Sequence, residues 1–442
     1  MHIHCHARSC SVLVTALAGC VGGAPARQYD TLYATVARAE SDHARAAGID
    51  DASLVVGGAL DRAAVVAAVL ARNLDLDVAR ATWRAAVAAY PSAIALDDPM
   101  ARYALAPFSI GSDVPFGQQI EISQKLPWPG KRQLRGDAAI ADAQAMQADY
   151  ESLRLELAEA AVQAFDDDYI AVRALEINQH HRELLERIEN SALAQYTTGH
   201  ASQQDPLEVR THILELERER LMLEKQRRIA VAMLNRLLRR KVDADLPPPP
   251  ARLAVATSAA TESHPAHPKQ VAAAARVRAR QADVDEASLA FYPDFEVMGS
   301  YDSLWDTWPY RWMIGIGIEI PLQRGKRDAD RERARAEQAK ATAELASVTT
   351  MLEEGRERAR REVEDSTKAL ELYDKQLLPT ARERVDAALA GFTAGQNPFS
   401  TVVMAEHELR DVELAIERTR ADLDRQLATL ARLEGRMPGG TP

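Results

Sequence analysis

The sequence predicts a mostly helical protein with a small β part, in which long helices form antiparallel coiled-coil hairpins. Three observations predict this fold class. The 442-residue chain is rich in charged residues (27%) and poor in aromatic ones (5%), a composition typical of long helices. Apolar residues recur at coiled-coil spacing in its longest segments. Short segments that alternate apolar with polar residues, as strands do, precede those segments in two places.

Three short motifs occur twice in the same order, which predicts two structural repeats. Their offsets are 202, 195 and 196 residues. The pairs are Tyr90-Pro91 with Tyr292-Pro293, Gly130-Lys131-Arg132 with Gly325-Lys326-Arg327, and Tyr196-Thr197-Thr198-Gly199 with Phe392-Thr393-Ala394-Gly395. Each repeat is predicted to run helix, strand, strand, long helix, turn, long helix. Four consecutive prolines at 247–250 separate the repeats, because proline ends a helix and imposes extended backbone.

The strand pattern is clearest at Trp312–Ile320, where Trp312 and four isoleucines share one face and small or polar residues occupy most of the other. Weaker alternation predicts strands at Phe116–Leu126 and Phe295–Tyr301, and the fourth strand, after Pro91, has the weakest pattern. A soluble sheet packed on a core explains this alternation. A transmembrane barrel with lipid outside and water inside also explains it.

The tryptophans favour the membrane interpretation, because four of the five lie near predicted strand ends: Trp128, Trp305, Trp308 and Trp312. Membrane barrels place such residues at the lipid–water interfaces. Four strands cannot close a barrel, and an open edge in lipid leaves backbone groups unpaired. A spanning protein of this design must therefore form oligomers, and three chains would supply twelve transmembrane strands.

The long helices are predicted to extend from Gly130 to Gly199 and from Gly325 to Gly395, each about 100 Å if helical throughout. Apolar seams follow in the returning helices: Val209, Ile213, Leu216, Leu223, Ala230, Leu234 and Leu237, and Leu409, Val412, Ile416, Leu423, Leu427 and Leu430. Shorter seams precede them: Ile177, Leu184 and Ile188, and Val363, Leu370, Tyr373 and Leu377. We expect the intervening charges, such as Glu217, Arg218, Arg420 and Asp424, to be solvated.

Each hairpin turn contains the residues that end one helix and begin the next. Gly199 and Gly395 suit the left-handed conformation that ends a helix. In the first turn Ser202 is predicted to cap the next helix, with Asp205 near its positive end. In the second turn we expect Asn397 to be the cap and Pro398 the first helical residue.

The N-terminus predicts a lipoprotein signal peptide over residues 1–19. Leu17-Ala18-Gly19-Cys20 resembles a lipobox, and cleavage before Cys20 would leave that cysteine available for acylation. Alternatives are an ordinary secretory signal and a wrongly assigned start codon. The metal-ligand types His2, His4, Cys5 and His6 would be removed with the signal.

Other function classes have little support in the sequence. A net charge of −11 argues against nucleic-acid binding. All three cysteines lie within the first 20 residues, so the body has no thiol nucleophile, disulfide or cysteine-based metal site. No phosphate loop and no clustered histidine–carboxylate motif is evident, and His180-His181 is expected on a solvated face. We therefore predict no enzyme activity, no cofactor and no metal site.

These features together resemble the TolC-type outer membrane factor family over essentially the whole mature chain. The most specific segments are Leu96-Asp97-Asp98-Pro99-Met100, Glu121–Arg132 (EISQKLPWPGKR), and the turns YTTGHASQQDPLEV and FTAGQNPFSTVV. The LPWPGKR segment is similar to the branch of CusC- and CzcC-like heavy-metal efflux proteins. The resemblance implies a homotrimer with a twelve-stranded barrel in the outer membrane of a Gram-negative bacterium, continuing into a periplasmic α-barrel of hairpins.

The resemblance also implies partners and site residues. The partners are a periplasmic adaptor protein and an inner membrane pump, often of the resistance-nodulation-division type. The adaptor would meet the hairpin tips, which contain Thr198, Gly199, Ala394 and Gly395. Asp386, nine residues before Gly395, lies in a stretch similar to that of the periplasmic gate of the family; the alternative is a solvated helix charge. The sequence departs from the family in its shorter first-repeat helix, 18 residues from Asn73 to Pro91 against 25 from Pro268 to Pro293.

The predicted domains follow the repeats. They are the signal peptide (1–19), an N-terminal equatorial segment (20–56), the first repeat (57–240), a Pro-rich equatorial linker (241–266), the second repeat (267–434) and a C-terminal tail (435–442). Strands are expected at about 91–127 and 293–321, and hairpins at about 130–240 and 325–434. The predicted function is a duct that passively conducts substrate, including heavy-metal cations, from pump and adaptor to the exterior. Drug efflux, type I secretion and a periplasmic coiled-coil scaffold or adaptor are the alternatives.

Overall fold

The structure is a computed structural model that describes residues 24–46, 51–106, 117–198, 202–255, 266–305, 308–394 and 396–439. The described residues form two compact units. Unit 1 contains the described residues up to Glu40 together with Ala79–Tyr150 and Pro268–Thr349. Unit 2 contains Ser41–Val78, Glu151–His267 and the chain from Thr350 onward.

The helices of the first half are α1 (Ala24–Ala46), α2 (Arg62–Arg72), α3 (Leu74–Ile94), α4 (Lys131–Thr197) and α5 (Gln204–Leu237). Those of the second half are α6 (Pro268–Leu289), α7 (Arg324–Leu372), α8 (Leu378–Thr393) and α9 (Phe399–Leu433). A π-helical turn, Tyr373–Leu377, joins α7 to α8. Short 3-10 helices occupy Asp51–Leu54 and Trp308–Arg311. Within the described part of the chain, no helix combines the length and the apolar composition needed to cross a membrane.

Four strands of unit 1 form one antiparallel sheet in the order β3-β4-β5-β6. The strands are β3 (Met100–Ala106), β4 (Gly117–Leu126), β5 (Asp294–Asp302) and β6 (Trp312–Glu319). All four predicted strands are therefore confirmed, including the one with the weakest pattern. In unit 2, β1 (Val55–Val56) and β2 (Ala59–Leu60) form a two-residue pairing.

The predicted inequality of the two helices that precede the strands is wrong. Helix α3 has 21 residues and α6 has 22, because α3 continues through Pro91 to Ile94 and α6 ends four residues before Pro293. Proline in a helix removes one hydrogen bond. Two contacts support the last turn of α3: the Tyr90 ring stacks on Tyr29, and the Ile94 carbonyl accepts a hydrogen bond from Arg132.

The second long helix is not continuous as predicted, because the π-helical turn divides it. Leu378 donates its N–H to the carbonyl of Tyr373, five residues earlier, and Pro379 at the start of α8 has no N–H to offer the preceding turn. The wider turn rotates the apolar face of the helix. Leu377, which its spacing places in the seam, is therefore exposed.

The coiled-coil seams are confirmed most clearly in α5, where all seven predicted seam residues are buried. In α9, Ile416, Leu423 and Leu430 are buried, and the other three predicted residues are half-buried. Side chains from α4, α5, α8 and α9 form one core cluster in unit 2: Leu185, Ile188, Val209, Ile213, Leu216, Val385, Ala388, Phe392, Phe399, Val402, Val403 and Ala405.

Two of the charges expected to be solvated are buried instead. The guanidinium of Arg420 lies 2.7 Å from Glu417, and the carboxylate of Asp424 pairs with Arg62 of α2. The prediction considered only contacts within the hairpin, whereas Arg62 comes from a helix outside it. Glu217 and Arg218 do face solvent in part or fully.

The cap prediction for the second turn is wrong by one residue. Pro398 occupies the cap position, and α9 begins at Phe399. Asn397 instead donates its backbone N–H to the carbonyl of Gly391. The cap prediction for the first turn is also wrong by one residue, because Gln203 occupies the cap position of α5. The hydroxyl of Ser202 still accepts the N–H of Gln204, and the N–H of Ser202 donates to Asp205. Cys20, Gly199 and Gly395 lie outside the described residues.

Candidate functional site

The sheet of unit 1 has one apolar face and one polar face. Residues paired directly across antiparallel strands point to the same side, so the register assigns each side chain to a face. One face contains Tyr103, Leu105, Ile120, Ile122, Leu126, Phe295, Val297, Tyr301, Trp312, Ile314, Ile316 and Ile318, together with Gln118 and Gln124. The other contains Arg102, Gln119, Glu121, Ser123, Lys125, Glu296, Ser300, Asp302 and Glu319, together with Met100, Met298 and Met313.

The apolar face is exposed, and no layer formed by the described residues covers it. Ile314 is 89% exposed and Ile316 is 74% exposed. Large apolar side chains exposed in a contiguous group indicate a surface that another molecule or lipid covers. Strands β3 and β6 are the edges of the sheet, so each has backbone groups that no other strand of the described chain pairs.

The four predicted interface tryptophans all lie at strand ends. Trp312 begins β6, Trp308 and Trp305 lie in the connection before it, and these three are exposed. Trp128 follows β4 and is half-buried; its ring stacks on Tyr292, with centroids 5.0 Å apart. The fifth tryptophan, in α3, is buried and contacts Tyr150.

The motif LPWPGKR forms the junction between β4 and α4. The backbone N–H of Trp128 donates to Asp294, and the buried Lys131 ammonium lies 2.7 Å from the same carboxylate. Gly130 has a φ of +97°, and a Cβ there would lie 3.2 Å from Leu289. The motif therefore anchors the first long helix to β5 and α6, which is a structural role.

The predicted adaptor-docking residues lie partly within the described chain. In the first turn the hydroxyl of Thr198 donates to backbone carbonyls of the last turn of α4. In the second turn Ala394 follows α8 and donates its N–H to Ala390. Both side chains are exposed. The turns are therefore accessible in the single chain, and their role in docking stays a prediction.

Asp386 is exposed on α8, between apolar residues that face the core of unit 2. Val385 is buried in that core, and Leu389 packs against it. Asp386 therefore lies on the flank of the helix, as its spacing predicts. The described chain gives it this exposure, and its position at a gate stays a prediction.

A buried ionic cluster surrounds His181, and no pattern in the sequence predicted it. This side chain is fully buried, its Nδ1 contacts Glu406, and its Nε2 lies 3.1 Å from Glu413. Burial lowers the pKa of His181, but the hydrogen bonds and charges of the two glutamates outweigh it and raise the pKa to about 9. The expectation of a solvated face is wrong for His181, because α9 packs on this side of α4; the neighbouring His180 is exposed.

A second buried group on α4 is Asp166. Burial, followed by the charge of Asp424, raises its pKa to about 8, against the opposing charge of Arg425. Burial therefore favours the neutral form of this carboxyl. Asp424 and Arg425 lie more than 250 residues away from Asp166 in sequence, so spacing along α4 alone could not reveal their contact with it.

Sequence analysis also missed a histidine–carboxylate group in unit 2. His212 of α5 and His407 of α9 meet edge to face, with ring centroids 4.7 Å apart, and His212 Nδ1 lies 3.0 Å from Glu215. One signal was available in the sequence. The two histidines are 195 residues apart, which is the offset of the Gly-Lys-Arg anchor.

An apolar stripe at heptad spacing lies on the solvent-facing side of α5. Leu207, Leu214 and Leu221 are seven residues apart, and each is more than half exposed. Heptad spacing is the pattern of helices that pack on another helix. The buried seam of α5 is separate, so this helix has one face for its own chain and a second one uncovered.

Comparison with known proteins relates this fold to bacterial outer membrane channels. Residues 266–436 match the model of the outer membrane efflux protein family. The second repeat is therefore similar to outer membrane efflux proteins. No curated protein matches the sequence.

Solved structures extend the likeness to most of the chain. The outer membrane protein VceC from Vibrio cholerae superposes with a TM-score of 0.74 at 17% identity, over 84% of this chain and 96% of that one. The outer-membrane channel OprN superposes with a TM-score of 0.73 at 20% identity, over 85% of this chain and 90% of that one. CusC, described for its transmembrane channel formation, superposes with a TM-score of 0.72 at 16% identity, over 84% of this chain and 91% of that one. The chain has the fold of these outer membrane proteins, and membership of the CusC-like branch stays a prediction.

Proposed function

We propose that this protein is the outer membrane duct of a tripartite efflux system, in which three chains form one channel. The observation that carries the proposal is the sheet with one exposed apolar face, one polar face and two open edges. In lipid, every backbone group of a spanning strand must be paired, so the edges β3 and β6 must meet other strands. Strands from two further chains meet this need and complete a closed barrel of twelve.

The uncovered stripe on α5 supports the same assembly. Its heptad spacing suits packing against a helix of a neighbouring chain, and three chains arranged this way surround a helical tunnel. The polar face of the sheet then lines a water-filled pore, and the apolar face meets lipid. Trp128, Trp305, Trp308 and Trp312, at the strand ends, suit the membrane interfaces.

A matched pair of variants on neighbouring residues of β6 tests this proposal. Ile316→Arg places a charge on the apolar face and should destabilise the inserted protein by about 2–4 kcal/mol near the bilayer midplane. Gly317→Arg should have little effect, because a Cβ added there would lie on the polar face, 3.4 Å from that of Glu296. Detergent-resistant trimers in the outer membrane fraction are the readout. Equal trimer loss in both variants, or a soluble monomer from the wild type, would favour a periplasmic scaffold.

The proposed partners are a periplasmic adaptor and an inner membrane pump of the resistance-nodulation-division type. We place the adaptor contact at the hairpin turns, at Thr198 and Gly199 in the first repeat and at Ala394 and Gly395 in the second. Gly395→Pro should abolish efflux and leave the trimer in the membrane. Full efflux with both glycines replaced by tryptophan would contradict the docking role.

The proposed cargo is heavy-metal cations, on the basis of the LPWPGKR segment. Drugs and secreted proteins are the alternative cargoes, since a duct does not need to bind what passes through it. A deletion strain should become sensitive to copper, zinc or silver and regain resistance with the wild-type gene. Sensitivity to antibiotics alone would assign drug efflux.

We further propose that Cys20 is the acylated N-terminus. Palmitate labelling should disappear in Cys20→Ala, whereas trimers should still form when a cleavable signal replaces residues 1–19. Labelling that persists in this variant would contradict the lipid anchor.

A further inference from the structure

His212, Glu215 and His407 offer three metal-ligand groups within a small volume of unit 2. One donor atom from each residue lies within 4.8 Å of the other two. His212 and Glu215 are three residues apart on α5, so their side chains share one side of the helix. His407 comes from α9, so the group joins two helices that are distant in sequence.

The neighbouring charges leave Glu215 as the carboxylate available to the two imidazoles. On α9, Glu406 contacts the buried His181, and Glu408 pairs with Arg384. Arg410, three residues after His407, lies 3.4 Å from Glu219 and 3.3 Å from Asp411. None of these groups needs to change its partner for a cation to bind between the two histidines and Glu215.

The ligand set suits a divalent transition-metal ion. Two imidazoles and one carboxylate form a known zinc ligand set that leaves a fourth position for water. Imidazole favours zinc, copper and nickel over magnesium and calcium. Zn–N and Zn–O bonds of about 2.1 Å hold tetrahedral ligand atoms about 3.4 Å apart, so the widest pair must approach by about 1.4 Å. The side chain of Glu215 is half-exposed, and one of its carboxylate oxygens already lies 3.0 Å from His212 Nδ1.

We propose that His212, Glu215 and His407 bind one divalent transition-metal ion per chain, with Zn²⁺ as the reference ion, and that this ion joins α5 to α9. The two histidines occupy the same place in their helices, since each is the ninth residue of its helix. The site is therefore formed by equivalent histidines of the two repeats. It is independent of the proposed duct, because its ligands come from one chain and no substrate is required.

Zinc titration of the purified full-length protein tests the proposal. The protein should have a C-terminal Strep-tag, since a histidine tag would bind zinc, and residues His2, His4 and His6 should be replaced to remove any contribution from unprocessed chains. Competition with a zinc-chelating dye should give one site per chain. His212→Ala, His407→Ala and Glu215→Gln should each weaken Zn²⁺ binding by more than about tenfold, the size of effect that even outer-shell ligand partners have.

His180→Ala is the matched control, because His180 is an exposed histidine of the same unit outside the cluster. It should bind Zn²⁺ like the wild type. Co²⁺ should give the intense visible absorption of a tetrahedral site in the wild type and in His180→Ala, and this absorption should be lost in His407→Ala. Unchanged zinc affinity in a double His212→Ala, His407→Ala variant whose helical circular dichroism matches the wild type would overturn the proposal. Fewer than one zinc-binding site per chain would also overturn it.

Discussion

The repeated Gly-Lys-Arg motif lies at the start of each of the two long helices that follow the strands, but its surroundings differ between the two. Lys131, at the start of α4, is buried against Asp294, whereas Lys326, its repeat equivalent in α7, is exposed. Farther along, the buried His181 and Asp166 correspond, at the offset of 195, to the exposed Gln376 and Arg361. The first helix therefore obtains partners for its polar groups within the chain. The second presents its equivalent positions to solvent, which suits a surface that a neighbouring chain covers.

The two repeats of the sequence therefore share their backbone geometry more closely than the environments of their side chains. Helices α3 and α6 differ by one residue, and both repeats have two strands and a hairpin. The environment of each equivalent residue depends on what packs against it, and that differs between the repeats. Substitutions at equivalent positions should therefore have unequal effects.

The largest expected effect is at His181. Replacing it with Leu leaves Glu406 buried without its cationic partner, a change that typically costs about 3–5 kcal/mol. His180→Leu, at the exposed neighbouring position, should change stability by less than about 0.5 kcal/mol. Thermal unfolding of the purified protein in detergent, followed by circular dichroism, measures both variants. Equal losses of stability in the two variants would show that the ionic cluster makes no specific contribution to the free energy of unfolding.

The raised pKa of His181 also predicts a pH dependence. Because its pKa is about 9 in the folded protein and about 6.5 when unfolded, its contribution is fully present below pH 6.5 and is lost as the pH rises through 9. The shift corresponds to about 3 kcal/mol. The wild type should therefore lose stability between pH 6.5 and 9, and His181→Gln should lose less over the same interval. Parallel pH profiles would contradict the assignment.

The next largest effect separates the two lysines of the repeated anchor. Lys131→Met should cost about 2 kcal/mol, because it removes a charge-assisted hydrogen bond, discounted for the partial exposure of Asp294. Lys326→Met should change the stability of the single chain by less than about 0.5 kcal/mol. Unfolding temperatures of the two purified variants make the comparison. If Lys326→Met alone caused a large loss of the proposed trimer, Lys326 would lie in a contact between chains.

Replacing the glycines before these lysines with alanine should change stability in opposite directions. Gly130→Ala should cost about 1–2 kcal/mol, because Gly130 has a positive φ and a Cβ would approach Leu289. Gly325→Ala should stabilise by about 0.4–1 kcal/mol, since Gly325 lies within α7 with no atom within 4 Å of a Cβ. Differential scanning fluorimetry resolves shifts of this size. Destabilisation by both alanines would mean that the second anchor is also packed in the assembly.

Sequence patterns predicted the elements of this fold better than the surroundings of its charged residues. The four strands, the helical hairpins and the seam of α5 follow from short-range periodicity, which a single sequence contains. The length of α3 was wrong because contacts from Tyr29 and Arg132 support a turn that Pro91 alone would end. The clusters of His181 and His212 were missed because each includes a residue of α9, about 200 residues away.

The smallest expected effect concerns Asp386, where the repeats differ in charge. At the offset of 196 the first repeat has Asn190, so in a trimer only the second repeat would supply carboxylates to the proposed gate. Three exposed carboxylates around one axis should attract cations. Asp386→Asn should modestly lower cation selectivity and block by multivalent cations in planar-bilayer recordings. The loss of selectivity should be clear at 0.1 M salt and vanish near 1 M, where the screening length falls from about 10 Å to about 3 Å.

Asp365→Asn, at another exposed acid of the same repeat, is the control, and Asn190→Asp should raise selectivity if both repeats face the pore at this level. Selectivity unchanged by Asp386→Asn at low salt would return Asp386 to the class of solvated helix charges.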